Sequence, residues 1–199
     1  MHCCAFLNSG QIKTSTRVGR RMEMNFPKMN QIGILVKDIP KAAAYYSKLL
    51  GIGPWFRSRT VKHELAYRGK PINLDLDIVI AFRGGMEYEL IQVKGGDECI
   101  YSDMLRKNGG GIHHMGAVVH GLDEKLDQVE KAGISVLQSG TITTRGAAIT
   151  RYAYLDTTAQ CGIITELIET RLKGILYVPQ NKIMMYVGLA TGDVERLRI

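Results

Sequence analysis

One shape occurs twice in this chain, and any fold has to accommodate both copies. Met29-Asn30-Gln31-Ile32-Gly33-Ile34-Leu35-Val36 runs polar, apolar, Gly, then an apolar run ending in Val. Ile112-His113-His114-Met115-Gly116-Ala117-Val118-Val119 repeats that shape, so His114 aligns with Gln31. Further on, Leu50-Gly51-Ile52 matches Ala132-Gly133-Ile134, and Glu89-Leu90-Ile91-Gln92 matches Glu166-Leu167-Ile168-Glu169. Such internal similarity implies two pseudo-equivalent units that bury their apolar faces against each other.

Each unit reads as strand, helix and three strands. From Gln31 to Val36 the apolar run predicts a buried strand, after which Asp38 and Pro40 supply a helix cap and a fixed first-turn φ. That helix carries Ala42, Ala43, Tyr45, Tyr46, Leu49 and Leu50 and stops at Gly51. Residues 73–82 alternate, with Leu74, Leu76, Ile78, Ile80 and Phe82 on one face and Asp75 and Asp77 on the other. Gly84-Gly85 then turns the chain into the strand Met86–Gln92. In the second copy Asp123 is the expected helix cap, Leu126 and Val129 the apolar face, and 135–137, 148–155 and 162–169 the strands. The expected fold class is α+β: two tandem βαβββ repeats, residues 28–104 and 108–170, forming a curved mixed sheet around a metal-centred cavity. Residues 171–199 follow as a C-terminal helical extension covering a sheet or cavity edge, and Thr191-Gly192-Asp193-Val194-Glu195 reads as an exposed cap.

Composition narrows the class further. With 199 residues and 45% hydrophobic content the chain can build a real core. No apolar run approaches the roughly 20 residues of a membrane span, which predicts a cytoplasmic protein with no membrane partner. Cys3, Cys4, Cys99 and Cys161 have neither zinc-knuckle spacing nor a disulfide framework and read as free thiols. The net charge of +7 is partly due to residues 1–24, a flexible basic leader with Lys13, Arg17, Arg20 and Arg21 against Glu23. That leader reads either as a mitochondrial transit peptide or as an extension before a start at Met22 or Met24. A modest positive surplus suits an anionic small molecule, and no basic stripe with interleaved aromatics calls for nucleic acid.

Strand parity selects the candidate site. If Ile32, Ile34 and Val36 face the helix, Gln31 and Gly33 face the cavity, and the same alternation turns His114, Glu89 and Glu166 inward. Interior carboxylates are costly unless paired or metal-bound. Gln31, Glu89, His114 and Glu166 are therefore the expected ligands of one divalent ion, Zn, Ni, Co or Mn, since one imidazole with three oxygen donors suits ions of that hardness. Parity assigns His113 to the helix side, and it aligns Glu87 with Glu89. Trp55, Phe56, Tyr45 and Tyr46 read as core, and Arg57 and Arg59 as exposed.

These residues resemble the vicinal oxygen chelate superfamily, the glyoxalase and bleomycin-resistance fold, over about residues 28–170. Within it, Asn108-Gly109-Gly110-Gly111-Ile112-His113-His114-Met115 is similar to methylmalonyl-CoA epimerases, which have a His where this chain has Gln31. Gln31, Glu89, His114 and Glu166 instead reproduce the Gln, Glu, His and Glu of human-type glyoxalase I. Either resemblance implies metal-dependent isomerase, epimerase or lyase chemistry: a proton moves next to a carbonyl through a metal-bound enediolate. The epimerase resemblance implies Asp77, which the alternation of 73–82 is expected to turn into the cavity, as the catalytic carboxylate, and the glyoxalase resemblance implies Glu166 as both ligand and base. The substrates implied are an acyl-CoA or a glutathione thioester or hemithioacetal, and the assembly implied is a homodimer. An extradiol dioxygenase would need two inward histidines, and a metal-free binding protein would not need inward carboxylates at both repeat ends.

Overall fold

The computed structural model describes residues 28–199, so the leader 1–24 lies outside the described residues. The first unit comprises β1 (Gln31–Leu35), α1 (Ile39–Leu50), β2 (Phe56–Ser58), β3 (Thr60–Tyr67), β4 (Lys70–Ile72), β5 (Leu74–Arg83) and β6 (Met86–Gly96). A short helix, α2 (Ser102–Asn108), leads into the second: β7 (Gly111–Val118), α3 (Leu122–Lys131), β8 (Val136–Thr144), β9 (Ala148–Leu155), α4 (Thr158–Cys161) and β10 (Ile164–Leu172). The C-terminal segment adds β11 (Leu176–Tyr177), α5 (Lys182–Thr191) and β12 (Val194–Arg196).

All strands join one curled mixed sheet, in the order β12-β2-β5-β6-β1-β7-β10-β9-β8-β3-β4, with β11 beside β10. The halves β2-β5-β6-β1 and β8-β9-β10-β7 mirror each other, and β1 pairs with β7 at the seam. The segment 56–72, to which the hydrophobic pattern assigns no strand, breaks this symmetry. β2 belongs to the first half, yet β3 starts two residues later and pairs with β8 of the second, Thr60 opposite Thr144. The two flanks of the sheet therefore meet at Arg59, whose N–H donates to Asp193 and whose carbonyl accepts from Arg145.

Local chemistry explains the element ends. Asp38 accepts from the Lys41 N–H at 2.8 Å, Pro40 occupies the first turn of α1, and Gly51 closes it at φ 62°. Gly84 and Gly85, at φ 60° and 78°, form the primed turn between β5 and β6. In α3 the cap position is Gly121 rather than Asp123, which instead forms a paired contact with Arg151 on β9.

Three cores result. α1 packs Ile39 and Ala43 on Ile34, Val79, Ala81 and Leu90 of the convex face. α3 does the same with Leu122 and Val129 on Ala117, Ala153, Leu155 and Leu167. Inside the curl lie Leu35, Leu65, Ile91, Tyr101, Tyr152, Tyr154 and Ile168. α5 closes the open side of the curl, tied down by Asp193, which is buried rather than an exposed cap. Its carboxylate accepts from Thr144, from Thr191 and from the Ala148 N–H at 3.1 Å.

Candidate metal centre

Register brings the site together. In the parallel pair β1–β6, Gln31 lies opposite Glu87 and Gly33 opposite Glu89. Across the seam Gly33 faces His114, and in the pair β7–β10 Glu166 faces Gly116. Residues opposite each other share a face of the sheet, so all of these point into the curl. Two glycines leave the space that the larger side chains fill. A Cβ on Gly33 would lie 1.8 Å from His114 Cε1, and one on Gly116 would lie 1.9 Å from Gln31 Oε1.

His114 Nε2 stands 3.0 Å from Glu166 Oε2 and 3.4 Å from Glu89 Oε2. One ligand atom from each of the three residues lies within 4.8 Å of the others. These are close approaches without hydrogen-bond geometry. His114 Nε2, Glu89 Oε2, Glu166 Oε2 and Gln31 Oε1 are all buried and unpartnered. The buried Glu166 carboxylate carries a desolvation cost of several kcal/mol that positive charge nearby can offset. Without such a charge a proton has to serve. Burial alone would lower His114, but Glu166 and Glu89 outweigh it and raise its pKa to about 10. Burial also raises Glu166, against the pull of His114. The orphaned donor atoms, one imidazole nitrogen among oxygens, fit a divalent metal ion. Glu89, His114 and Glu166 could hold it, and Gln31 lines the same cavity.

The structure does not bring Asp77 to this cluster. β5 turns Ile78 and Ile80 to the cavity and packs Val79 and Ala81 under α1, so Asp77, in step with Val79, faces the convex side. There it accepts from Arg57 Nε at 2.8 Å and Nη2 at 3.1 Å, and Lys94 Nζ lies 3.4 Å away. The expected parity of β5 is reversed because the cavity wall itself is apolar.

His113 also departs from alternation. The β1–β7 register shifts between Gly33 and Ile34, which leaves His113 as a bulge. Its ring lies inside the curl, 4.8 Å from the Tyr101 ring, with Nδ1 3.1 Å from Nδ1 of His114. Burial and then His114 lower its pKa to about 3. Two histidines thus point inward, but only the His114 nitrogen is among the carboxylates.

Glu87 is 3% exposed and accepts from Gln31 Nε2 at 3.0 Å. Burial, then Glu89, raises its pKa to about 8. Tyr152 and Tyr154 of β9 and Tyr101 line the cavity as well, with the Tyr101 and Tyr154 hydroxyls 2.9 Å apart. Sequence reasoning missed these tyrosines, although the alternation Arg151-Tyr152-Ala153-Tyr154 carries their signal. Trp55 is core, its Nε1 donating to Ser47 at 3.0 Å, whereas Phe56 lines the cavity.

A glyoxalase/bleomycin resistance protein/dioxygenase superfamily model matches residues 30–154, well over half of the chain. The chain belongs to that superfamily. It is 22% identical over 144 residues to the uncharacterized protein YqjC of Bacillus subtilis, covering 72% of this chain and 93% of that protein. It is 24% identical over 126 residues to the mitochondrial methylmalonyl-CoA epimerase of Bos taurus, covering 62% of this chain and 64% of the bovine enzyme. That match spans less than two thirds of the bovine enzyme's length. Among solved structures, a Streptomyces coelicolor methylmalonyl-CoA epimerase variant in complex with 2-nitronate-propionyl-CoA superposes with a TM-score of 0.50 at 16% identity, covering 77% and 99% of the two chains. A hypothetical protein of Bacillus halodurans gives 0.50 at 20% identity, covering 71% and 92%. At these identities the shared property is the fold.

Proposed function

We propose that the protein is a divalent-metal-dependent isomerase or epimerase that moves a proton on a carbon next to a carbonyl. The observation that carries this reading is the convergence of Glu89, His114 and Glu166, whose Oε2, Nε2 and Oε2 atoms are buried and unpartnered, in a curl whose cavity Gln31 also lines. A bound ion would polarise the carbonyl and offset the negative charge that grows on its oxygen. His114 and Glu89 would help hold the ion, with the imidazole kept in place by its packing against Gly33. Glu166 is the carboxylate placed to take the proton, its basicity already raised by burial. Glu87, with a pKa near 8, is the second cavity carboxylate able to hold a proton near neutral pH. Asp77 has no part in this step, since Arg57 and Lys94 occupy its oxygens.

A second reading, a glyoxalase I-like lyase, is favoured by one observation: Gln31 lines the cavity beside the carboxylates of the Glu89, His114 and Glu166 group, giving the types Gln, Glu, His and Glu in chain order. Both readings share the proton transfer, so one experiment tests them. Protein purified without chelator is assayed for metal content and for solvent deuterium exchange in methylmalonyl-CoA, in the methylglyoxal–glutathione hemithioacetal, and in (R)-benzoin, an uncharged hydroxyketone. Stoichiometric metal with exchange in any of the three supports the reading. No exchange in all three with Zn, Ni, Co or Mn, or exchange unaffected by metal removal, rejects it.

A further inference from the structure

The ligand cluster occupies one end of a cavity of about 330 Å³, and the rest of that cavity has a character of its own. Among the described residues that line it, none is Lys, Arg or His. Glu87, Glu89 and Glu166 lie at one end and Asp193 under the roof. A divalent ion would offset the carboxylates that hold it, but none of the described lining residues offsets a phosphate or carboxylate on the body of a substrate, and burying such a charge unpaired is costly.

A second polar point sits away from the cluster. Glu166, Ile168, Thr170 and Leu172 share the cavity face of β10, which places Thr170 about 13 Å along the strand from Glu166. Thr170 Oγ1 lies 2.9 Å from Thr150 Oγ1 and accepts from Gln180 Nε2 at 3.3 Å. Gln180 Oε1 is buried with no partner, and all three residues line the cavity. Much of the remaining wall is apolar, with Ile78, Ile80, Ile142, Ile168, Phe56 and Met184, and Tyr101, Tyr152 and Tyr154 add ring faces and hydroxyls to it. An unpaired amide oxygen at the far end of an apolar channel is a built acceptor for one donor.

We propose that the substrate is an uncharged, elongated hydroxyketone or diketone. Its vicinal oxygens meet the Glu89–His114–Glu166 end, its apolar body fills the channel, and a hydroxyl or amide N–H donates to Gln180 Oε1. Gln180 thereby sets specificity. The placement of the oxygen pair rests on the metal reading above; the exclusion of charge and the role of Gln180 rest on the cavity wall alone.

The test is calorimetric binding of benzoin, para-hydroxybenzoin, para-carboxybenzoin and methylmalonyl-CoA to the full metal-loaded chain, with metal content measured on the same samples. Para-hydroxybenzoin is expected to bind at least ten-fold more tightly than para-carboxybenzoin or the thioester. Gln180→Leu is expected to remove the difference, so that para-hydroxybenzoin and benzoin bind the variant equally. Equal or tighter binding of either anion overturns the substrate class, and a hydroxyl preference that survives in Gln180→Leu overturns the role of Gln180. In chelator-treated protein the preference for uncharged probes is expected to persist. Protein that takes up no metal yet keeps that order defeats the proposed reaction and leaves the substrate class standing. Metal-replete protein whose deuterium exchange occurs only in methylmalonyl-CoA does the reverse.

Discussion

Gly33 and His114 face each other across β1 and β7, and the imidazole occupies the place a Cβ on Gly33 would take, 1.8 Å from Cε1. The His114 ring is fully buried, so it has little room to yield. Gly33→Ala is expected to lower stability by about 1–3 kcal/mol through overpacking and to reduce metal content. Thermal denaturation and metal analysis of the same preparation check both effects; an alanine variant with full metal content would show that the ring position is not critical.

Glu166 contributes one of the two carboxylates beside His114 Nε2. Glu166→Gln keeps the shape and removes the charge, so metal affinity is expected to fall by at least about 100-fold, beyond the 10–100-fold of outer-shell changes. Titration with Zn against a competing chelator reads this directly.

Metal uptake also has to displace a proton. With the His114 pKa raised to about 10, the nitrogen is protonated in metal-free protein at neutral pH. Each ion bound then releases at least one proton, and apparent affinity should rise by about ten-fold per pH unit between about pH 6 and 8. A pH-independent affinity would contradict the arrangement of His114 and the two glutamates.

His63 on β3 hydrogen-bonds the Tyr152 hydroxyl at 2.9 Å, and burial lowers its pKa to about 4. The unfolded chain protonates this residue near the ordinary value of 6.5, so between 6.5 and about 4 the unfolded state binds more protons. Stability is therefore complete above 6.5 and declines as pH falls towards 4. The melting temperature of His63→Gln should fall less steeply over that window than that of the parent protein.

Asp193 holds the roof in place by accepting from two threonine hydroxyls and the Ala148 N–H. Asp193→Ala leaves those donors unpaired and is expected to cost about 2 kcal/mol or more. Protection of the α5 amides in hydrogen exchange should drop more than that of β1 or β10, because the lost contacts are those that tie the C-terminal segment to Thr144 of β8 and Ala148 of β9.

Much of this architecture is legible in a period of two and a repeat. Those two patterns suffice to turn Gln31, Glu89, His114 and Glu166 to one wall, because all four lie on strands whose opposite faces pack under α1 or α3. The same rule misplaces Asp77, since it takes the apolar face of β5 for the helix side when an apolar cavity wall looks the same. His113 is misplaced for a different reason: a bulge arises from pairing with β1, which no local pattern records. β3 escapes notice because Thr60–Tyr67 mixes Lys62, His63 and Glu64 with apolar residues, as a strand near a sheet edge can. The α3 cap at Gly121 was hidden by Asp123, a good capping residue that pairs with Arg151 instead.

The crossing at Arg59 has a temporal side. Thr60 cannot pair with Thr144 until the ribosome has delivered the second half, and contacts of such sequence separation form late and slowly. Until then the first half has Ile91 and its neighbours on an uncovered sheet face, alongside the acidic Glu87 and Glu89. The nascent chain is thus most open to aggregation, and to chaperone capture, between the emergence of β6 and that of β8.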